Sequence, residues 1–114
     1  MGSLYTEGNE WKIIAPTQSG PQENRTGGEI ELWISTDYGV KWVKKMDVTS
    51  NSKWNNSYVR RPVNAHKEFY ALWTDGDPEQ ISESRLYFTN EKCDKVWVLP
   101  YDMKKEYEKP QRIK

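Results

Sequence analysis

A short polar segment between two strand-like runs restricts the fold more than any other part of the chain. The runs at 29–34 and 43–48 alternate apolar with polar side chains, which is the pattern of strands. The segment between them, 35–42, reads Ser-Thr-Asp-Tyr-Gly-Val-Lys-Trp. Two strands this close in sequence pair antiparallel through a short turn. We therefore expect a hairpin here, within a fold built from antiparallel sheet.

The residues of this segment suit a turn that is closed by its own side chains. Ser35 and Asp37 carry short side-chain oxygens that can accept hydrogen bonds from the N–H groups of the turn. Gly39 has no Cβ and can adopt a positive φ without steric penalty. Trp42, at the start of the returning strand, offers a large apolar ring to cover the loop.

The spacing Ser-x-Asp-x-Gly-x-x-Trp, filled here by these four residues, resembles the Asp-box of the bacterial neuraminidase repeat (BNR) family. In that family the box joins the third and fourth strands of a β-propeller blade, is structural, and lies away from the active face. The resemblance implies an all-β fold made of propeller-like blades. The alternative is an ordinary hairpin loop that is rich in turn formers.

The composition favours a folded β protein and argues against several partners. The 17 basic residues balance the 17 acidic ones, so there is no electrostatic case for binding nucleic acid or an anionic membrane. Six Trp and seven Tyr are more aromatics than disordered chains carry. No apolar run is long enough to span a bilayer. With one cysteine, Cys93, and one histidine, His66, we expect no disulfide, no metal site and no cofactor.

The predicted strands fall into two units, preceded by a leader segment at 1–9 and followed by a solvated tail at 104–114. The first blade, residues 10–57, has three predicted strands: 10–17, 29–34 and 43–48. The second blade, residues 58–103, has four predicted strands: 58–63, 68–74, 85–89 and 96–99. Polar, Gly-rich or Asn-rich loops are predicted at 18–28 and 49–57.

An internal repeat supports the two units. Residues 32–37 align with 86–91, and at the same offset Cys93 takes the place of Gly39. The second copy, 89–96, is a degenerate Asp-box with Thr for Ser, Glu for Asp, Cys for Gly and Val for Trp. The earlier strands also correspond, with Glu10-Trp11 aligned to Glu68-Phe69. Four short strands that recur about every fifty residues are typical of a propeller blade.

The strand count is too low for a complete propeller. Closed propellers typically need about four to eight blades, whereas this sequence supplies about two consecutive ones. Three architectures remain open: a fragment of a longer propeller, a small sandwich of two sheets packed face to face, or a ring that several copies complete together. The first is preferred, because apolar blade faces do not sit comfortably in water.

The second unit also looks like the last blade of BNR-repeat propellers in secreted polysaccharide-degrading proteins. The segments that carry this resemblance are 58–63, 71–76, 84–88 and 96–103. It implies a polysaccharide or oligosaccharide partner, an extracellular or periplasmic location, and a parent protein that is a polysaccharide lyase or a glycoside hydrolase. Turnover by this chain alone is not expected. A non-catalytic structural or protein-interaction module and a fragment of a sialidase-like hydrolase are the alternatives.

Arg60 and Arg61 are the first candidates for a site. A planar guanidinium binds a carboxylate through two parallel hydrogen bonds, which suits uronic or sialic acids. Arg60-Arg61-Pro62 is similar to the Arg-Ile-Pro motif of sialidases, in which the arginine that matches Arg60 binds the substrate carboxylate. The alternative is that both arginines pair with acids such as Asp75 or Glu68.

Three further positions carry weaker predictions. His66 can carry protons near neutral pH, although a lone loop histidine is more often simply solvated. Trp54, in a polar loop, is a candidate plate for stacking a sugar ring or else an anchor for that loop. Asp75, Asp77 and Glu79 share one turn that could bind calcium, but the calcium-loop pattern is absent and turn chemistry explains the residues.

Overall fold

The computed structural model describes residues 2–23 and 27–114, and within them the chain forms nine strands. The strands are β1 (Ser3–Glu7), β2 (Glu10–Gln18), β3 (Glu29–Ser35), β4 (Val43–Asp47), β5 (Asn55–Arg60), β6 (Ala71–Gly76), β7 (Leu86–Thr89), β8 (Val96–Val98) and β9 (Gln111–Arg112). The described residues contain no helix, and accordingly none that is long and apolar enough to cross a membrane.

The strands form two antiparallel sheets in which neighbours in sequence are neighbours in space. Sheet one has the order β1-β2-β3-β4 and sheet two the order β5-β6-β7-β8-β9. Every pairing is antiparallel, so each sheet is a meander of strands that are consecutive in sequence. The prediction of an all-β antiparallel protein is therefore confirmed. The sheets are not closed into a ring.

One hydrophobic core lies between the two sheets. Sheet one contributes Ile14 and Leu32, which are cross-strand partners, and sheet two contributes Trp73, which is 1% exposed. Alternation along each strand places these side chains on one face, so burial of that face drives the sheets together. The buried core residues are Tyr5, Ile14, Ile30, Leu32, Val48, Val59, Tyr70, Ala71, Trp73, Cys93 and Val96.

The predicted leader at 1–9 is wrong for the residues that the structure describes. Residues 3–7 form β1, the edge strand of sheet one, and its partner is β2. Tyr5 is 1% exposed, and its ring stacks on Tyr70 with 4.1 Å between centroids. Ser3 and Tyr5 lie on the same side of β1, where they cover the core. The first unit therefore has four strands instead of three.

The predicted solvated tail at 104–114 is wrong at its end. Residues 111–112 form β9, which pairs with β8 and gives sheet two a fifth strand. The Lys114 ammonium donates to the main-chain oxygens of Asp47 at 2.7 Å and Val48 at 3.1 Å, so it also bridges to the end of sheet one. Charged side chains do not prevent a backbone from pairing at a sheet edge.

Two predicted boundaries in the second unit are also wrong. β5 begins at Asn55, inside the predicted loop 49–57, because Asn55 and Asn56 are buried and hydrogen-bonded instead of solvated. β6 begins at Ala71 and not at residue 68, since residues 66–69 close a turn of their own. The predicted loop at 18–28 falls in part on residues 24–26, which lie outside the described residues.

The repeat predicted from the sequence recurs in the strand registers. Ile34 opposes Val43 in the first hairpin, and Phe88 opposes Trp97 at the equivalent places in the second. The two hairpins thus match at an offset of 54 residues, which follows from these numbers. The predicted alignment of Glu10-Trp11 with Glu68-Phe69 is out of register.

The preceding strands align at a different offset. Trp11 opposes Ser35, whereas Ala71 opposes Thr89. Because Ser35 and Thr89 are equivalent in the hairpins, the counterpart of Trp11 is Ala71, sixty residues later, and not Phe69. The difference between the two offsets arises mainly because β2 and β3 are longer than β6 and β7, whereas the connections between them are nearly equal in length.

Candidate functional site where the first strands of the two sheets meet

The turn at 35–42 is held by the side chains that the sequence singled out. The Ser35 hydroxyl accepts from the Gly39 N–H at 2.9 Å and donates to the Asp37 carboxylate at 2.8 Å. Asp37 also accepts from the Lys41 N–H at 2.9 Å, and the Trp42 indole N–H donates to the Gly39 carbonyl at 3.0 Å. Together these bonds satisfy the backbone of a turn that ladder hydrogen bonds do not reach.

Charge and backbone conformation in this turn have clear physical causes. The Lys41 N–H, followed by the Ser35 hydroxyl, stabilises the ionised carboxylate and holds the pKa of Asp37 below its ordinary value. Gly39 has a φ of +85°, where a glycine avoids the penalty of a Cβ. Cys93, its counterpart in the second hairpin, has a φ of +58°. The turn lies at the β3–β4 connection and makes a structural element.

Hydrogen bonds join the start of β1, in sheet one, to the end of β5, in sheet two. The Ser3 hydroxyl donates to the Val59 carbonyl at 3.1 Å, and the Arg61 guanidinium donates to the Leu4 carbonyl at 3.4 Å. The Tyr5 hydroxyl donates to the Tyr70 carbonyl beneath them. These contacts bring Leu4 and Arg61, which are more than fifty positions apart in sequence, together. We call this place, with the adjoining Arg60 at the end of β5, the first-strand rim: Leu4, Arg60 and Arg61.

Arg60 and Arg61 differ in how firmly they are held. The Arg61 guanidinium lies 4.8 Å from the centre of the Tyr5 ring, a cation–π distance, in addition to its bond with Leu4. Arg60 is exposed at the end of β5 and, among residues 2–23 and 27–114, has neither an ion-pair partner nor a side-chain hydrogen bond. Of the two arginines, Arg61 is therefore fixed by contacts with β1, whereas Arg60 has none of these contacts within the described residues.

The predicted alternative, in which Asp75 or Glu68 neutralises these arginines, does not match the geometry. Asp75 is 7% exposed and accepts from the Arg85 N–H at 2.9 Å and the Tyr87 hydroxyl at 2.7 Å. Burial, and then the bond to Asp75, raises the pKa of Tyr87 well above its usual range. Within the described residues, neither Glu68 nor Asp75 forms an ion pair with an arginine at the rim.

The hydroxyl and carboxylate groups nearest the rim are paired with each other. The Tyr70 hydroxyl donates to the Glu7 carboxylate at 3.0 Å, but Tyr70 is only 3% exposed and lies under Tyr5. Burial and the bond to Glu7 raise the pKa of Tyr70 far above neutrality. This phenol therefore stays protonated at physiological pH and is shielded from solvent.

His66 and Trp54 lie in other surroundings. The His66 Nδ1 accepts from the Glu68 N–H at 3.1 Å, which makes the exposed ring part of a local turn. Trp54 is half-buried, and the Lys53 ammonium lies 5.3 Å from the centre of its ring. The Trp54 indole N–H is buried and has no hydrogen-bond partner among the described residues. No recorded contact joins either residue to the arginines at the rim.

The carboxylates at 75–79 serve their own loop. Asp77 accepts from the Glu79 N–H at 2.9 Å, and its own N–H donates to the Ser82 hydroxyl at 2.8 Å. In residues 2–23 and 27–114, no group of three or more His, Cys, Asp or Glu side chains is arranged to hold a metal ion.

A buried polar network between the sheets escaped the sequence analysis. The Glu29 carboxylate is 6% exposed and accepts from the hydroxyls of Thr49 at 2.8 Å and Ser52 at 2.5 Å. The Asn56 amide donates to the Gly28 carbonyl at 3.0 Å, and its oxygen accepts from the Trp73 indole at 3.1 Å. The alternation at 29–34 does not predict burial of Glu29, because its partners Thr49 and Ser52 lie 20 and 23 residues later in the chain.

Comparison with known proteins does not assign this chain to a family. Neither a family model, nor a curated protein, nor a solved structure matches the chain.

Proposed function

We propose that this chain forms two consecutive blades of a BNR-repeat β-propeller and binds an acidic polysaccharide at the first-strand rim. In this proposal 35–42 is an Asp-box and 89–96 its degenerate copy, both structural. The ligand is a secreted or cell-surface polysaccharide with uronic-acid carboxylates, and the chain acts outside the cytoplasm. Binding, and not turnover by this chain, is the proposed activity.

The observation that carries the proposal is the position of Arg60. Arg60 is exposed at the end of β5, opposite Leu72, and is next in sequence to Arg61, whose contacts with Leu4 and Tyr5 join β5 to β1. In a propeller the first strand of each blade lines the central channel, so a ligand there meets several blades at once. Arg61, held by Leu4 and Tyr5, provides a guanidinium in a fixed position, whereas the Arg60 guanidinium can change its position to meet the ligand.

The chemistry of the rim matches a carboxylated sugar chain. A guanidinium gives a carboxylate two charge-assisted hydrogen bonds, each stronger than a bond between neutral groups. Leu4, whose carbonyl accepts from Arg61, has a side chain that is 49% exposed and adds an apolar group to the rim. The chain has no net charge, so attraction to an anionic ligand has to come from this local concentration of arginine.

A second candidate function is a non-catalytic structural or protein-interaction module. It is favoured by the contacts of Arg61, which join β1 to β5 and so contribute to packing. In that case both arginines stabilise the sheet-to-sheet contact, and neither recognises a ligand.

Isothermal titration with uronic-acid oligosaccharides distinguishes the two candidates. Hydrogen bonds to charged groups contribute about 1.5–3 kcal/mol each, so Arg60→Ala is expected to weaken binding roughly 10- to 100-fold. Arg60→Lys keeps the charge but loses the two-pronged geometry and is expected to recover only part of the affinity. Binding of the wild type is also expected to weaken as salt is added.

Arg112→Ala is the matched control, because it removes the same charge from β9 at the opposite edge of sheet two. It is expected to leave affinity unchanged, and a neutral oligosaccharide of the same length should not bind. Equal losses for Arg60→Ala and Arg112→Ala would contradict a site at the rim. No binding by the wild type, together with normal folding, would favour the structural module.

A further inference from the structure

Each sheet turns one face to the shared core and a second, partly apolar face away from it. In sheet one the second face contains Leu4, Ile13 and Trp33, which are successive cross-strand partners; we call it the sheet-one outer face. In sheet two it contains Phe69, Leu72, Phe88 and Trp97, which we call the aromatic face. The Phe69 and Phe88 rings are 4.7 Å apart, and the Phe88 and Trp97 rings 5.0 Å.

The repeat shows that the two sheets meet through unlike faces. At the offset of sixty in β2 and β6, Ile13 corresponds to Trp73, and at the offset of 54 in β3 and β7, Trp33 corresponds to Tyr87. Trp73 and Tyr87 are stacked partners on the core side of sheet two. The sheet-one outer face is therefore the counterpart of the face that sheet two buries.

The reverse relation holds for the other pair of faces. Leu32 lies in the core, and its counterpart Leu86 lies on the same side of sheet two as the aromatic face. The core side of sheet one thus corresponds to the aromatic face. Within one chain, the core side of sheet one, which is the counterpart of the aromatic face, packs against the core side of sheet two, which is the counterpart of the sheet-one outer face. The aromatic face and the sheet-one outer face are both left without such a partner within the chain.

We propose that the aromatic face of one copy packs against the sheet-one outer face of a second copy and so repeats the internal contact between the sheets. Such an interface is heterologous, with different surfaces on the two partners, and it propagates until a ring closes. Because closed propellers have about four to eight blades, a ring of two-sheet copies would hold about two to four chains.

A second copy is the partner best matched to these faces, since both halves of the contact are present on every chain. The internal contact shows that faces of these two types pack together, with Trp73 and Leu32 both buried there. Equal numbers of acidic and basic residues leave no net repulsion between copies. The inference shares the repeat with the proposed function but does not depend on a carbohydrate ligand.

Sedimentation velocity of the chain from about 1 μM to about 200 μM tests the proposal, and paired variants reveal the geometry. Phe69→Asp changes the aromatic face at a residue that is 37% exposed and lies outside the strands. Leu4→Asp changes the sheet-one outer face at a residue that is 49% exposed. Each is expected to weaken self-association at least about 10-fold. Ile81→Asp, on a fully exposed loop residue, is the matched control and should leave association unchanged.

An experiment that mixes the two variants tests the geometry of the interface most directly. Phe69→Asp keeps an intact sheet-one outer face and Leu4→Asp keeps an intact aromatic face, so the mixture should form a heterodimer that neither variant forms alone. Circular dichroism and urea midpoints verify that each variant is folded, and Trp97→Thr replaces Phe69→Asp if the latter is not. A wild type that stays monomeric, association that survives both variants, or a mixture that stays monomeric would each overturn the proposal.

Discussion

At the scale of single residues, Gly39 shows how closely the turn at 35–42 is fitted to its neighbours. Its φ of +85° lies in the left-handed region, and a Cβ added there would stand 2.7 Å from Cζ3 of Trp11. Gly8, in the β1–β2 turn, also has a left-handed φ of +60°, but a Cβ there would meet nothing within 4 Å. Substitutions at these two glycines therefore distinguish the cost of a left-handed backbone, which both share, from the cost of crowding, which only Gly39 has.

Gly39→Ala is expected to destabilise the protein more than Gly8→Ala. Both substitutions incur the left-handed penalty of about 1–2 kcal/mol, and Gly39→Ala adds overpacking against Trp11 of about 1–3 kcal/mol. Urea unfolding monitored by circular dichroism gives both free energies of unfolding. Equal losses for the two variants would show that the Trp11 ring moves aside at no cost.

The pH dependence of stability tests the charge on Asp37. Its folded-state pKa is lowered, so its stabilisation is complete above the ordinary value of 3.8 and is lost as pH falls through the lower folded-state pKa. Asp37→Asn keeps an acceptor oxygen without the charge, so urea midpoints between about pH 2 and pH 7 should fall less on acidification than those of the wild type.

Asp94, whose pKa the Asn90 amide lowers, leaves part of this acid sensitivity in place in the Asp37→Asn variant. A variant whose midpoint falls as steeply as that of the wild type would show that Asp37 contributes nothing to the pH dependence.

At the scale of elements, the contact between the sheets depends on a buried polar link as well as on apolar packing. Asn56, 2% exposed at the start of β5, pairs with Gly28 just before β3 through two backbone hydrogen bonds of 3.0 Å and 2.8 Å. Its side chain then joins Gly28, Ser52 and Trp73. Loss of this side chain would leave the Trp73 indole N–H buried without a partner.

Asn56→Ala is expected to cost about 2 kcal/mol or more, since an unsatisfied buried polar group costs about 1–3 kcal/mol and several bonds are lost together. Ser57→Ala, the adjacent position, is the matched control and should stay within about 0.5 kcal/mol of the wild type. In a double-mutant cycle with Trp73→Phe, the effects should be less than additive. Additive effects would show that the 3.1 Å bond between these side chains contributes no stability.

The elements that local sequence could predict are those with plain alternation or strong turn chemistry. β2, β3 and β4 were predicted to within one or two residues, and Ser35, Asp37 and Gly39 make the turn contacts expected of them. β1 and β9 were missed because nothing local distinguishes an edge strand from a polar terminus. The start of β5 was missed because tertiary hydrogen bonds, and not propensity, order Asn55 and Asn56.

At the scale of the whole molecule, two copies of one sheet unit pack through unlike faces, and this packing brings the start of β1 to the end of β5. The sequence identified Arg60 and Arg61 as a pair. The position of Arg61 beside Leu4 depends on packing between residues far apart in the chain, which no local pattern encodes. The rim and the two outward faces are consequences of the same repeat relation.

The contact between β1 and sheet two tests this arrangement most directly, and nuclear Overhauser spectroscopy of the wild-type chain measures it. With the Tyr5 and Tyr70 rings stacked at 4.1 Å, strong ring-to-ring cross-peaks are predicted, together with strand-like shifts for residues 3–7. Random-coil shifts for residues 3–7 and no cross-peak between these tyrosines would contradict the packing of the two sheets and the rim built on it.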